Sequence, residues 1–189
     1  MSVLLAFDTA AQHCAAALLS GDDLVTRVVP MATGQAEHLM PLLEDMLAAA
    51  GLNWRDLDGI GVGTGPGNFT GIRIAVAAAR GLALGLGIPA IGVTGFEAVA
   101  RDLPRPCTIE LPAPRGQVWR QRLTVAGADP PALVMHDTPP PSPDPDMTIA
   151  AVARIAASLL GSPQPRPAPC YVRGADAAPP RDPPPLILP

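Results

Sequence analysis

Lysine is absent from this chain of 189 residues. All of its positive side chains are therefore arginines, and these stand singly along a chain whose formal charge is −4. Autonomous nucleic-acid binding needs a clustered basic face, which such scattering does not supply. The missing lysine also excludes a Walker loop, GxxxxGK followed by Ser or Thr. Cysteine is sparse: Cys14, Cys107 and Cys170 lie far apart with no CxxC spacing, so neither a zinc site nor a disulfide framework is indicated, and a reducing cytoplasm fits best. His13, His38 and His136 form no HxxxH or HExxH pattern, so no metal site is expected. Ser20 and Cys14 have no neighbouring base that would mark them as nucleophiles. The apolar start, MSVLLAFDTAAQHCAAALL, lacks a basic leader and is interrupted by Asp8, Gln12 and His13 before it reaches membrane-spanning length. It reads as strands, and no membrane contact is expected.

Proline is scarce in the first half and dense in the second. Four of the 25 fall in residues 1–100. TPPPSPDPD (138–146) and SPQPRPAP (162–169) are expected to be neither helix nor central strand, because proline lacks the amide donor and restricts the residue before it. The tail PPRDPPPLILP should be extended or loose. Two domains are expected: 1–102, holding most of the regular structure, and a short proline-rich second domain and tail over 103–189.

Within the first half, SVLLAFDT, HCAAALLS and LVTRVVP read as three antiparallel strands. Residues 34–51 show helical spacing, with Leu39, Leu43, Met46, Leu47 and Ala50 on one side, Glu37 in the first turn and Gly51 as the stop. LDGIGVG is a fourth strand, 70–86 a second helix, IPAIGVT a fifth strand and GFEAVARDL a third helix. The order β-β-β-α-β-α-β-α implies a mixed five-stranded sheet, an antiparallel meander followed by parallel strands reached through crossover helices. This α/β layout resembles the ribonuclease H-like fold of the actin, chaperone and sugar-kinase ATPase superfamily. The resemblance implies a second, truncated domain of similar type, and it sets Asp8 at the strand end where those ATPases keep a phosphate-side acid.

The stretch GVGTGPGNFTG, residues 61–71, holds five glycines. A dinucleotide fingerprint, GxGxxG, fails because Asn68 stands where the last glycine belongs. What remains is a strand, a turn and a helix, with Asn68 or Thr70 available to cap the helix. Shaping that junction is the main role expected of the turn. A bare helix N-terminus is also an anion site in principle, so Asp8, Thr9, Gly65, Gly67, Asn68 and Thr70 are carried as vestigial phosphate contacts. In the helix, Ala75, Ala78, Ala79, Leu82, Ala83 and Leu86 recur at three- and four-residue steps. That small-residue face would let another helix approach closely.

GVGTGPGNFTGIRIAVAAARGLALGLGIPAIGVTGFEAVA resembles the signature of the TsaB family, and LLAFDTAAQHCAAALL and QAEHLMPLLEDML resemble that family's start and first long helix. The likeness spans residues 3–101. Beyond it, PAPRGQVW (112–119) keeps Arg115, Gly116, Gln117 and Val118 of a family motif but has Pro112 in place of an aspartate, and YVRGADAAPP resembles the C-terminal segment. The resemblance implies a cytoplasmic, non-catalytic dimerisation subunit. Its partners would be a TsaD homologue and the ATPase TsaE, in the complex that puts threonylcarbamoyl on N6 of the adenosine beside the anticodon of tRNAs reading codons that begin with A. ATP and a divalent metal would belong to the partner subunits, tRNA would be met only through the complex, and a homodimer is the alternative state when the partner is missing. Pairing through the first domain's two long helices would place Glu37, Met40, Glu44, Arg73, Ala75, Ala79, Leu82 and Leu86 at the interface. Relatives are sometimes called glycoproteases, a reading that nothing in the residues supports. A stand-alone ATPase or kinase of the actin-like superfamily stays open as the alternative.

Overall fold

A computed structural model describes residues 2–172 of the chain. Five strands form the first sheet: β1 (Val3–Asp8), β2 (His13–Ser20), β3 (Asp23–Pro30), β4 (Gly59–Gly63) and β5 (Ala90–Val93), in the order β3-β2-β1-β4-β5. The first three pair antiparallel, and β4 and β5 join parallel to β1. This is the mixed sheet expected from the order of apolar runs.

One face of the sheet carries α1 (Gln35–Ala49) and α2 (Phe69–Leu86). Leu5 and Phe7 of β1 and Cys14, Ala16 and Leu18 of β2 meet Leu39, Leu43, Met46 and Leu47 of α1 and Ile72, Ala75, Val76 and Ala79 of α2. On α1 the buried stripe includes Leu42, whereas Ala50, expected on it, caps the helix and is exposed. Pro41 lies inside α1 and points to solvent. Gly51 (φ 68°) and Gly87 (φ 71°) end the two helices in the left-handed conformation that glycine adopts without penalty. By length and composition α2 could cross a membrane, with a mean hydropathy of 1.4. Its inner side is instead packed on β1 and β4.

The opposite face is covered from the second half of the chain. α4 (Pro145–Ser158) comes from the proline-rich half and packs on the first sheet, where Ile149, Val152, Ala153 and Ala156 meet Leu4, Ala6, Ala15, Ala17, Leu19, Ile91 and Val93. A side chain at Gly61 would put its Cβ 2.9 Å from that of Ala156, so this glycine sets how closely α4 can approach. A helix from the expected second unit thus completes the core of the first. Pro145 and Asp146, expected outside any helix, are the first two residues of α4. Proline is tolerated there because the first amides of a helix have no intrahelical acceptor, and Asp144 caps the Asp146 amide at 2.8 Å.

The second sheet comprises β6 (Cys107–Ala113), β7 (Gln117–Thr124), β8 (Gly127–Ala128) and β9 (Ala132–Met135), all antiparallel, with both β6 and β9 paired to β7. Among the described residues this sheet has no parallel strand, and the truncated ribonuclease H-like unit expected there is not confirmed. It joins the first through α3 (Gly95–Val99), whose Phe96 packs with Ile109, Leu111 and Leu123. Helix α3 is shorter than the nine residues of GFEAVARDL expected, and it starts on a reciprocal cap between Thr94 and Glu97. Most of YVRGADAAPP and all of the tail PPRDPPPLILP lie outside the described residues.

Candidate functional site

The glycine turn is shaped by the backbone beside it. At the end of β4, Gly63 lies against Asp8, and the Asp8 side chain occupies the space a Cβ at Gly63 would need. A Cβ at Gly67 would collide with the Ala10 carbonyl and one at Gly71 with that of Thr9, each well under the 3.0 Å that real Cβ atoms respect. Hydrogen bonds fix the contact. Asn68 N–H donates to the Ala10 carbonyl at 2.6 Å, and Thr9 Oγ1 donates to the Gly71 carbonyl at 2.7 Å. Asn68 Oδ1 accepts the Gly71 amide at 2.9 Å and caps α2, one of the two caps foreseen.

These contacts sort the expected phosphate residues. Asp8, Gly65, Gly67, Asn68 and Thr70 all line one open cleft of about 730 Å³. Thr9 does not, because it is fully buried with its hydroxyl spent on Gly71. Two glycines of the turn are closed against carbonyl groups, and the Gly71 amide is occupied by Asn68. The turn is thereby a packing junction between β1, β2 and α2.

Opposite the turn, the cleft wall is formed by Leu111, Pro112 and Trp119 of the second sheet and by Pro143 and Pro145 at the entry to α4. Sequence reading missed this wall, since nothing in RGQVW shows that β7 folds back toward Asp8. Among the described residues, the titratable groups lining the cleft are Asp8 and His13. Burial raises the Asp8 pKa above its ordinary 3.8, opposed by the hydrogen bond from the Ala10 amide and by His13. Burial, with the neighbouring Asp8 charge, pushes the Cys14 thiol up to about 11.

The expected partner face needs correction at two positions. Ala75 and Ala79 are 0% exposed and belong to the core beneath α2, so neither can meet a partner while the helix keeps its place. Leu82 and Leu86 are half-buried at the edge of that core, as is Met40 on α1. Glu37 and Glu44 on α1 and Arg73 on α2 are exposed. The outward surface of α2 runs through Arg73, Ala77, Arg80, Gly81, Leu84 and Gly85, with Leu84 85% exposed and open space above Gly81 and Gly85. At the start of α2, the Arg73 guanidinium lies 3.7 Å over the Phe69 ring, and its Nε donates to Tyr171 Oη at 2.8 Å. Phe69 and Tyr171 are 5.1 Å apart between ring centres.

The profile of a family described as TsaD, tRNA N6-adenosine threonylcarbamoyltransferase, matches residues 27–108, from within β3 to the start of β6. YeaZ from Pseudomonas aeruginosa superposes with a TM-score of 0.67 at 23% identity, over 84% of this chain and 93% of its own. A solved protein described as uncharacterized, with similarity to peptidase YEAZ from Pseudomonas aeruginosa, gives 0.72 at 23% identity, over 92% of this chain and all of its own. No curated protein sequence matches the chain. At these identities the solved structures speak for the fold, which is the one expected for the first sheet and its helices. The profile supplies the independent sequence signal, and it covers the stretch that holds both long helices and the glycine turn.

Proposed function

We infer that a chain with the fold of YeaZ and a TsaD-family segment is a TsaB-type protein of tRNA modification. We propose that it serves there as the non-catalytic dimerisation subunit. In this reading it pairs with a TsaD homologue and, with TsaE, supports transfer of threonylcarbamoyl to N6 of the adenosine beside the anticodon. The work is cytoplasmic, nucleotide and metal are handled by the partners, and tRNA is met through the assembly.

The observation that carries the reading is the outward face of α2 beside α1. Leu84 stands almost fully in water, flanked by two glycines that raise no side chain and by Arg73 and Arg80, while α1 presents Glu37 and Glu44. A large exposed aliphatic group in a small-residue setting suits close helix contact, and charges at the rim suit orientation of a partner. The surface lies on the same helix that the family likeness implies but on its other side, about 200° around from Ala75 and Ala79, at Ala77, Gly81 and Leu84.

The test is reconstitution. The chain alone should produce no threonylcarbamoyl-adenosine in tRNA, as measured by mass spectrometry of digested nucleosides. Adding it to a TsaD homologue and TsaE should restore the product, and Leu84→Glu should abolish that restoration while leaving the melting temperature unchanged. Full activity of the Leu84→Glu protein would put the partner on another face. Steady ATP turnover by the isolated chain, at the rate of an ordinary sugar kinase, would favour the stand-alone enzyme instead.

A further inference from the structure

We propose that the cleft over Asp8 is a binding site for a small organic cation, an amine or amidinium on a planar or apolar body, with its charge at Asp8 and its body along Trp119. Three features of the cleft point this way.

The first is the charge of its lining. None of the described arginines lines it, and its lining includes the carboxyl group of Asp8. A polyphosphate would meet repulsion at Asp8 and find no cationic side chain among the described lining residues to offset its charge. Nor is there a backbone cradle: Gly67 and Gly71 are closed against the Ala10 and Thr9 carbonyls, and the Gly71 amide is held by Asn68. A bridging metal does not fit the described residues either, because among them Asp8 is the one carboxylate in the lining and no cluster of three ligating side chains occurs.

The second is that Asp8 lacks a compensating cation. Among the described residues it takes part in no ion pair, and its carboxylate accepts one backbone hydrogen bond, from Ala10. His13, at the start of β2, and Cys14 are the other titratable side chains beside it. A partly buried carboxylate loses part of its hydration, which a cation or several donors can replace. A cationic ligand at the floor of the cleft would supply what the fold leaves out.

The third is the wall. Trp119, Leu111, Pro112 and Pro143 face the cleft, and they can cover the body of a ligand and exclude water from its contact with Asp8. The indole is also the aromatic surface that best attracts a cation. The volume, about 730 Å³, suits a molecule of one or two rings.

Benzamidine and benzamide make the test, since they share a planar ring and differ in charge. Calorimetric titration of the whole chain should show benzamidine binding at least tenfold more tightly than benzamide, with Mg·ATP giving no competing heat. Asp8→Asn keeps the size of the side chain and its acceptor for the Ala10 amide, and should erase the preference for benzamidine. Trp119→Leu should weaken both compounds and keep their order, so it tests the site even if the Asp8 variant fails to fold. Equal binding of the two compounds, an unchanged preference in Asp8→Asn, tighter binding of Mg·ATP, or no benzamidine heat at millimolar concentration would each overturn the proposal.

Discussion

Two glycines on the same helix should respond to the same substitution with opposite signs. Gly81 lies on the outer face of α2 with nothing within 4 Å of an added Cβ. Gly81→Ala therefore removes only glycine's helix penalty, and should stabilise the protein by about 0.5–1 kcal/mol. Gly71 lies in the first turn of that helix, and its added Cβ would strike the Thr9 carbonyl, a backbone atom in the β1–β2 connection that cannot rotate away. Relief requires α2 to draw back from that connection, which costs about 1–3 kcal/mol as overpacking. The same movement strains the Thr9–Gly71 and Asn68–Gly71 hydrogen bonds, each contributing about 1 kcal/mol. After the helix-propensity gain is subtracted, Gly71→Ala should lose about 2–4 kcal/mol. Urea unfolding followed by circular dichroism measures both variants, and the midpoint should move while the slope stays constant. If Gly71→Ala is as stable as the parent, the turn does not rest on the Thr9 backbone, and its glycines are free for a ligand after all.

Other outcomes follow from the same coordinates. Ala79→Arg places a guanidinium in the fully buried layer between α2 and the sheet, so it should collapse the melting temperature, whereas Leu84→Glu should leave it in place; cooperative thermal unfolding of both separates core from surface. The Asp8 pKa is raised in the folded protein, so between 3.8 and that higher value the native state keeps a proton the unfolded chain releases, and stability falls as pH rises through the window. Asp8→Asn removes this dependence, and its stability relative to the parent should increase as pH rises above 3.8 through that window in paired denaturation curves. With a thiol pKa near 11, Cys14 should alkylate far more slowly than Cys107 in native protein at about pH 8, and equally once unfolded; fast native labelling of Cys14 by peptide mass mapping would contradict its burial.

The first sheet was legible because each of its strands is a short apolar run between turn residues, and because Gly51 and Asn68 punctuate the helices. The second layer of helix was not. Yet β1 and β2 carry a signal for it: LLAF and CAAALL are apolar at every position, and a strand without alternation has both faces covered. Ala6, Ala15 and Ala17 could have been read as the floor for a closely packed helix, but nothing local says that the helix begins at Pro145. On α2 alanine occurs on every side, so Ala75, Ala77, Ala78 and Ala79 give the pattern little phase, and the inward pair was read as the outward one. The cleft was half legible. Asp8 and the glycine turn are local features, while Trp119 reaches the opposite wall only through the pairing of β7 with β6 and β9.

The placement of α4 also dictates an order of events during synthesis. When the ribosome has released β5, all five strands of the first sheet exist, but Leu4, Ala6, Ala15, Ala17 and Leu19 still face water on one side. They stay so until the second sheet and the prolines before Asp144 have been made and α4 has emerged to cover them. The nascent sheet therefore spends the synthesis of some sixty-five residues, from Val93 to Ser158, with an apolar face uncovered, and that interval is when a chaperone would have most to protect.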